Sequence, residues 1–280
     1  MSISIPTQER EQRLVYKVVG ERKLELIYWG PLNPCSKPAP IYFTITGGGW
    51  HSGTPESMLG FSKISIDWAR QNGWAVASPV YRLSGEGVSM HQIVSDCMDA
   101  CRYLAHYAKE LNLDPQRVVT SGHSAGGHLA LMMALAPHDS FRDESELTDD
   151  FKVIGTIPLS PPTVLFTQNV PQTLAFGVQE LFPKMTEKDF YETSPVNYVG
   201  ATSCPCLTVA GDKDDLVFPN SSDILIERYK QAGADGEVVY SHNGGHCFEC
   251  KVENAVSKPD FGEVQNIIIS FLNRFTGHGE

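Results

Sequence analysis

Short apolar runs alternate with segments of helical period along most of the chain. The runs are rich in β-branched and aromatic residues and lie at 41–46, 74–80, 117–121, 153–159, 205–210 and 238–241. The helical patterns cover 58–72, 92–111, 125–135, 222–232 and 261–275. Continuous apolar strands are typical of a parallel sheet buried on both faces. The order therefore predicts an α/β fold, a mostly parallel central sheet with helices on both faces and an antiparallel edge hairpin formed by 14–19 and 24–29.

One stretch, 161–203, interrupts this alternation. It carries several prolines and scattered aromatic residues without a clear period. A connection of this length in a compact domain is typical of a lid or an insertion. We therefore expect one domain over 1–280 with a short cap insertion at 161–203. Its aromatic residues either wall a substrate pocket or form a small core of their own, and they are Phe166, Phe176, Phe182, Phe190 and Tyr191.

The charge balance limits the partners of this chain. With 22 Lys+Arg against 33 Asp+Glu, the formal net charge is −11, which repels nucleic acid and anionic membranes. An apolar fraction of 41% with 20% charged residues excludes a disordered chain. The first residues show no export signal, and the longest apolar stretches, such as 267–272, are shorter than the roughly 20 residues that cross a bilayer. We expect a soluble cytoplasmic protein, compatible with a homo-oligomer.

The cysteines do not resemble a disulfide scaffold. There are seven, an odd number, and we predict reduced thiols. A C-P-C pattern at 204–206 and a C-F-E-C pattern at 247–250 resemble halves of zinc sites, but they should lie at opposite ends of neighbouring strands. We therefore predict no metal. Cys97 and Cys101 share one face of a helix and are predicted core residues.

Residues 122–127 read Gly-His-Ser-Ala-Gly-Gly, a G-x-S-x-G motif between a predicted strand and a predicted helix. A turn this tight strains the backbone of its central residue, Ser124, and requires small neighbours such as Gly122 and Gly126. The N-terminus of the following helix also offers unpaired N–H groups and the positive end of its dipole. The pattern predicts a nucleophilic serine.

A serine hydroxyl needs a base, and the base needs an orienting acid. His246 follows two glycines after the strand at 238–241, at the edge where α/β sheets place their sites, and is the strongest candidate for the base. The acid comes from the run GDKDDLV. Asp214 is the first candidate; Asp212 is the second and could instead cap the loop, whereas Asp215 is interpreted as solvated.

Three other histidines lie near these motifs. His242 falls at the end of the strand at 238–241, and we interpret it as structural. His128 stands one helical turn after the serine, and we expect it to pack under the turn. His123 is interpreted as a turn residue.

Three consecutive glycines, at 47–49, end the strand at 41–46. Glycines let the backbone approach a bound acyl group closely and point N–H groups at a developing anion. A flexible turn is the simpler interpretation of such a run. Combined with the serine motif, however, the run predicts an oxyanion hole formed by the N–H groups of Gly48, Gly49 and Ala125, with Trp50 as a further donor.

The blocks TGGGW, VYRL, DCMDACRYL, NLDPQRVVTSGHSAGGHLA, GDKDDLV and NGGH follow one another in this order. Together they resemble an α/β-hydrolase of the esterase/lipase type. The small acetyl and feruloyl esterases and the kynurenine formamidases are the nearest groups, with hormone-sensitive-lipase-like esterases further off. The resemblance implies the α/β-hydrolase fold, with Ser124 as nucleophile, Asp214 as acid, His246 as base and an oxyanion hole at 47–50 and Ala125.

Two features depart from the family pattern. Thr46 stands where the family usually has a histidine, so the anchor of the glycine loop must differ. The segment 161–203 matches no motif, and we predict that substrate choice resides there.

The resemblance implies an enzyme that hydrolyses short-acyl carboxylic esters through an acyl-enzyme, without metal or cofactor. An acetyl ester of a sugar or another small alcohol is the favoured substrate class. An amidase, such as a formamidase acting on an aryl formamide, or a peptidase is the alternative enzyme. A non-catalytic binding protein with the hydrolase fold is the alternative outside enzymes.

Overall fold

The computed structural model describes residues 11–33, 36–143, 145–166 and 171–276. In these ranges, one eight-stranded sheet has the spatial order β1-β2-β4-β3-β5-β6-β7-β8. The strands are β1 (Gln12–Val19), β2 (Arg22–Trp29), β3 (Ala39–Ile45), β4 (Ala75–Pro79), β5 (Leu113–His123), β6 (Val153–Leu159), β7 (Cys206–Gly211) and β8 (Gly236–Ser241).

The first two strands form the predicted hairpin at one edge of the sheet. β1 pairs antiparallel with β2, and β2 pairs antiparallel with β4. All further pairings, from β4 through β3, β5, β6 and β7 to β8, are parallel. The mostly parallel sheet predicted from the sequence is therefore confirmed, and the carboxyl ends of β3, β5, β6 and β7 lie along one edge.

Helices cover both faces of the sheet. They are α1 (Pro55–Phe61), α2 (Lys63–Gln71), α3 (Met90–His106), α4 (Ala108–Leu111), α5 (Ala125–Leu135), α6 (Val178–Leu181), α7 (Glu187–Glu192), α8 (Asn220–Ala232) and α9 (Phe261–Asn273). On one face, α3 and α5 pack with alternate residues of β3, such as Ile41 and Phe43. The intervening Tyr42 points to the other face, where α2 and α9 pack. Alternation along a strand buried on both sides explains its continuous apolar sequence.

Two predicted helices are interrupted. The helix expected at 58–72 is two helices separated at Ser62, whose carbonyl accepts a hydrogen bond from the Ser65 hydroxyl at 2.9 Å. The same carbonyl also accepts the backbone N–H of Ile66 at 2.9 Å. The helix expected at 92–111 ends at His106. A single further turn, α4, then ends at Leu111. The next residue, Asn112, adopts the left-handed conformation with φ 52° and stops the helix before the predicted Asp-Pro signal.

The insertion contains α6, α7 and a 3₁₀ turn at Pro195–Tyr198. Backbone hydrogen bonds attach it to the segment after β7, for example from Phe218 N–H to the Thr173 carbonyl at 2.9 Å. Phe182 and Phe190 are buried in the main core, whereas Tyr191 is exposed and its ring lies beside that of Phe166. The aromatic residues of the insertion are thus divided between the common core and the surface.

A buried network of charges joins the edge hairpin to α3. The Lys17 ammonium lies 2.9 Å from carboxylate oxygens of both Asp96 and Asp99, with at most 3% exposure for each side chain. Arg82 pairs with Asp96 at 2.8 Å, and Arg102 pairs with Asp99 at 2.6 Å. Each buried charge therefore has an opposite charge in contact, as burial in a protein interior requires.

The cysteines in the described ranges are free thiols, and Cys35 lies outside those ranges. Cys97 and Cys101 are fully buried in the core, as predicted. No set of three or more His, Cys, Asp or Glu side chains within the described ranges could hold a metal ion. None of the helices in that part of the chain is long and apolar enough to cross a bilayer.

Candidate active site

Ser124 occupies the turn between β5 and α5, at the carboxyl edge of the sheet. Its backbone has φ 57° and ψ −123°, a strained conformation for a residue with a side chain. Its N–H donates to the carbonyl of Leu159 on β6 at 2.7 Å, and its carbonyl accepts from the N–H of His128 at 3.1 Å. These bonds hold the turn between two strands and a helix, and Ser124 keeps 8% exposure.

Sterics explain why the two outer positions of the G-x-S-x-G motif are glycine. A Cβ at Gly122 would lie 2.3 Å from the carbonyl oxygen of Gly126. A Cβ at Gly126 would lie 2.1 Å from the carbonyl oxygen of Ile45. Carbon atoms do not approach oxygen this closely, so the start of α5 can pack against β3 and β5 only if both positions lack a side chain.

His246 and Asp214 are joined by a hydrogen bond. His246 Nδ1 lies 2.7 Å from Asp214 Oδ2. The other carboxylate oxygen, Oδ1, accepts the backbone N–H groups of Leu216 and Val217 at 3.0 and 2.9 Å. Asp214 is only 4% exposed, and these three donors orient its carboxylate toward the imidazole.

The second candidate acid, Asp212, contacts a different histidine. Its Oδ2 lies 3.0 Å from His242 Nδ1, and its Oδ1 accepts the N–H of Asn243 at 2.7 Å. The His242 side chain is 75% exposed. Asp215 is exposed and pairs with Lys251 at 3.4 Å. Of the three carboxylates, Asp214 alone contacts His246 in the described structure.

The backbone of His246 is held by two donors on its carbonyl oxygen. His123 Nε2 donates at 2.8 Å, and the Ser160 hydroxyl donates at 3.1 Å. Burial lowers the pKa of His123 to about 4, so its ring is neutral at pH 7 and Nε2 carries the proton of this bond. The ring centres of His123 and His246 are 4.7 Å apart. His123, predicted as a turn residue, therefore links the serine turn to the histidine loop.

The predicted nucleophile and base reach the same edge of the sheet. Ser124 directly follows His123, whose ring contacts His246. The hydrogen bonds made by the described residues do not include one between the Ser124 hydroxyl and the His246 imidazole, whereas they include the bond from His246 to Asp214. Such catalytic hydrogen bonds are often long without substrate and tighten in the complex.

The glycine loop lies against the serine turn. A Cβ at Gly47 would meet the carbonyl oxygen of His123 at 2.6 Å and the Cβ of Ser124 at 3.3 Å. Gly48, Gly49 and Trp50 all have positive φ, at 112°, 61° and 57°. This backbone conformation suits glycine and is strained for tryptophan.

The predicted oxyanion donors have no partner in the described part of the chain. The N–H groups of Gly48, Gly49 and Ala125 make no hydrogen bond there, although the Gly48 carbonyl accepts the N–H of Ser52 at 3.0 Å. Ala125 is 1% exposed, whereas Gly49 is half-buried and Gly48 is exposed. Two separate elements, the loop and the N-terminus of α5, thus offer free donors next to Ser124.

The loop is anchored by contacts that the sequence did not predict. The Thr46 carbonyl accepts the hydroxyl of the buried Tyr81 at 2.9 Å, at the position where a histidine was expected to provide the anchor. The Trp50 indole donates to His128 Nδ1 at 3.2 Å, and His128 Nε2 lies 2.7 Å from the Thr193 carbonyl. The sequence held one indication of these contacts. His128 is a polar residue on an apolar helix, and such a residue needs hydrogen-bond partners when it is buried.

One cavity is lined by residues of the glycine loop, and a second, larger cavity is lined by residues outside it. One of about 230 Å³ lies against the loop and His123, and it is lined by Thr46, Gly47, Gly48, Gly53, Ser57, Met58, Phe61 and His123. A second of about 420 Å³ lies between the N-terminus of α3 and the insertion. Its lining includes Ser84, Phe182 and Thr193, and each of these residues contacts Trp50 or His128.

Comparison with known proteins identifies the family. The BD-FAE family model matches residues 30–229. The chain belongs to the BD-FAE family. Among similar proteins, an esterase of Gibberella moniliformis is 33% identical over 227 residues, which is 76% of this chain and 68% of that esterase. The probable carboxylic ester hydrolase LipM of Mycobacterium tuberculosis is 24% identical over 211 residues, 72% of this chain and 47% of LipM. The chain thus spans about half the length of LipM.

The fold of this BD-FAE family member is shared with solved esterases. Esterase 2 of Thermogutta terrifontis, in its propionate-bound form, superposes with a TM-score of 0.79 at 23% identity and covers 98% of both chains. The same esterase phosphorylated by paraoxon has a TM-score of 0.77 and covers 100% of both. The α/β-hydrolase fold and the resemblance to the esterase/lipase type are therefore confirmed.

Proposed function

We propose that this BD-FAE family protein is a serine esterase that hydrolyses carboxylic esters with a short acyl group. The observation that carries the proposal is the 2.7 Å hydrogen bond between Asp214 and His246, placed beside the strained Ser124. The unpartnered N–H groups of Gly48 and Gly49 on the adjoining loop support it. A base with an oriented proton, a nucleophile and anion donors are the parts that acyl transfer needs.

In the proposed reaction, Ser124 Oγ attacks the ester carbonyl while its proton passes to His246 Nε2. Asp214 keeps the Nδ1 proton in place and stabilises the imidazolium. The carbonyl oxygen becomes an anion held by the N–H groups of Gly48, Gly49 and Ala125. The C–O bond then breaks, and the alcohol leaves with the proton from His246. Water repeats the sequence on the acyl-enzyme, which releases the acid and restores the serine.

The free N–H groups account for much of the expected rate. Removal of one oxyanion donor typically costs about 2.7 to 4 kcal/mol of activation free energy. The N-terminus of α5 adds the positive end of a helix dipole behind Ala125. Because these groups have no partner among the described residues, no hydrogen bond of that part of the protein has to break when the anion forms.

The cavity beside the loop supports a short acyl group. Its volume is about 230 Å³, and its lining includes the apolar side chains of Met58 and Phe61. Structures of the Thermogutta terrifontis esterase 2 hold propionate and butyrate, which are short carboxylates. We infer that an acetyl ester of a small alcohol fits this chain, and that the insertion at 161–203 selects the alcohol.

The experiment that tests the reaction compares p-nitrophenyl acetate, butyrate, hexanoate and octanoate with N-formylkynurenine. We expect the highest kcat/KM on acetate or butyrate and a loss of about tenfold or more by octanoate, since excess methylenes do not fit a small pocket. A large preference for N-formylkynurenine would assign the protein to the formamidases instead.

Variants test the residues. Ser124→Ala and His246→Ala should each lower kcat by about 10⁶-fold, because the members of a catalytic triad act as a unit. His242→Ala is the matched control and should leave kcat unchanged, since His242 lies on the surface with Asp212. A fluorophosphonate that fails to label Ser124 in the wild-type protein would favour a binding protein without catalysis.

The setting of the enzyme is also proposed. We infer a cytoplasmic enzyme with a small-molecule ester as its partner, because the seven cysteines are an odd number and the net charge of −11 repels nucleic acid and anionic lipid. We infer one domain over 1–280, with 161–203 as a cap within it. Cell fractionation and limited proteolysis test these two statements.

A further inference from the structure

Trp50 and His128 are fully buried and joined by a hydrogen bond from the indole Nε1 to Nδ1 at 3.2 Å. His128 Nε2 lies 2.7 Å from the carbonyl oxygen of Thr193 in the insertion. We propose that His128 is a positioning residue, which holds the glycine loop and the start of α5 at the spacing that oxyanion binding requires and fastens both to the insertion. This inference rests on the proposed esterase function.

The partners of His128 specify one form of its ring. The indole nitrogen can only donate, so Nδ1 must be unprotonated and accept. The Thr193 carbonyl can only accept, so Nε2 must carry the proton. The other neutral tautomer, with the proton on Nδ1, would place N–H against N–H and a lone pair against a carbonyl oxygen. Burial also lowers the pKa of His128 to about 4, so this neutral tautomer persists across the neutral range.

The bond to His128 controls the glycine loop because it fixes Trp50. The backbone of Trp50 has φ 57°, which is unfavourable for a residue with a side chain. Its carbonyl accepts the N–H of Ser84 at 2.8 Å, and its indole is held by His128. With both ends of Trp50 fixed, the peptide groups before it, which include the N–H groups of Gly48 and Gly49, keep their direction without substrate.

His128 also belongs to the element that carries the other oxyanion donor. It lies one turn after Ser124 on α5, and its N–H donates to the Ser124 carbonyl at 3.1 Å. One residue is thus bonded through its backbone to the serine turn and through its side chain to the loop. Since the donors of an oxyanion hole must lie within about 0.5 Å of their productive positions, this direct tie between the two elements matters.

The third contact extends the tie to the insertion. Thr193 directly follows α7 as its C-cap, and it is 2% exposed. Carbonyls at a helix C-terminus lack partners within the helix and need an external donor. His128 Nε2 supplies that donor, while the Thr193 hydroxyl bonds back to the Asp189 carbonyl at 2.8 Å. The same side chain therefore positions both the insertion and the glycine loop.

Two substitutions separate the contacts of His128. In His128→Asn, the amide oxygen takes nearly the position of Nδ1 and still accepts from Trp50, but the bond to Thr193 is lost. In His128→Gln, the amide nitrogen takes nearly the position of Nε2 and still donates to Thr193, but the acceptor for Trp50 is lost. Trp50→Phe removes the same bond from the other side and keeps an aromatic ring in the same cavity.

We expect His128→Gln and Trp50→Phe to lower kcat by about ten- to hundredfold on p-nitrophenyl acetate with little change in KM, because the oxyanion contacts form in the transition state. His128→Asn should lower kcat by a smaller factor than His128→Gln, because its amide oxygen still accepts from Trp50. The affinity for a trifluoromethyl ketone, which forms a tetrahedral adduct at the serine, should fall by the same factor as kcat. The double variant W50F/H128Q should have a kcat no lower than that of either single variant, since both substitutions remove the same hydrogen bond.

Titration of Ser124 with a fluorophosphonate converts every rate to a rate per active site, so partial unfolding cannot imitate the effect. A purely structural role would lower Tm in both His128 variants and leave kcat per titrated site unchanged, which would overturn the proposal. If His128→Gln fails to fold, Trp50→Phe gives the deciding kcat. Wild-type protein that neither hydrolyses esters nor reacts with the fluorophosphonate would overturn the proposed function as well. An active wild type with unaffected variants would overturn only the positioning role.

Discussion

Replacing Asp214 by asparagine should nearly abolish turnover and leave the fold intact. The asparagine Oδ1 can still accept the N–H groups of Leu216 and Val217, which lie 3.0 and 2.9 Å from the carboxylate. The new NH₂ group, however, faces His246 Nδ1. The imidazole must therefore adopt the tautomer in which Nδ1 has no proton and accepts a hydrogen bond. Nε2 then carries a proton and cannot take one from Ser124.

A base with the wrong tautomer costs about 10⁴-fold in kcat. At about 1.36 kcal/mol per tenfold change, this corresponds to about 5.5 kcal/mol of activation free energy. The free energy of unfolding should change by about 1 kcal/mol or less, because the hydrogen-bonding pattern of the loop is kept. Stopped-flow acylation with p-nitrophenyl acetate measures the first quantity, and urea unfolding measures the second.

Asp212→Asn is the matched control, since Asp212 also contacts a histidine through Nδ1. That histidine is largely exposed, so the substitution should change kcat by less than about threefold. The assignment of Asp214 as the acid is wrong if Asp212→Asn costs more activity than Asp214→Asn. It is also wrong if Asp214→Asn keeps kcat within about tenfold of wild type.

Three further results are expected. Gly126→Ala should give no folded, active protein, as its Cβ would lie 2.1 Å from the Ile45 carbonyl oxygen, and soluble yield with circular dichroism checks this. Lys17→Met should lower the free energy of unfolding in urea by about 3 to 5 kcal/mol, because two buried carboxylates lose a partner. Between pH 7.5 and pH 5, unfolding should become easier by about 2 kcal/mol for each of His123 and His128. Their folded pKa values, about 4, lie below the unfolded value, so stability is lost as pH falls from about 6.5.

Matched controls accompany these three results. Gly60→Ala, at a helical position with nothing within 4 Å of the added Cβ, should fold normally. Lys63→Met removes an exposed ion pair to Asp67 and should cost less than about 1 kcal/mol. His128→Asn should show about half of the wild-type pH dependence, since one of the two buried imidazoles is gone. A Lys17→Met protein as stable as wild type, or unfolding free energies independent of pH, would contradict the burial argument.

The sheet could be predicted because its strands obey a local rule. A strand covered on both faces must be apolar throughout, and 41–46, 153–159 and their counterparts are visible as such runs. The hairpin and the serine turn also have local signals, namely a glycine turn and a G-x-S-x-G motif. The choice of Asp214 over Asp212 remains a prediction about catalysis, and its contact with His246 is the observation in its favour.

The support around the site could not be predicted in the same way. Ser160 and Thr193 belong to no motif, and they matter because the fold brings them to His246 and His128 across 86 and 65 residues of chain. The separation of α1 and α2 at Ser62 likewise has no motif in the sequence. Local patterns report burial and turn geometry, whereas contacts between distant residues follow only from the assembled sheet.

The two hydrogen bonds that the His246 carbonyl accepts fix the backbone of that residue. Only rotations about side-chain bonds are then left to bring its ring nitrogen to the Ser124 hydroxyl. Exposed side chains rotate in picoseconds to nanoseconds; for the His246 side chain, which is 13% exposed, we still expect rotation to be faster than the milliseconds of a typical turnover. The first proton can therefore move without waiting for a slow loop motion, and the acylation burst should show neither a lag nor a dependence on solvent viscosity.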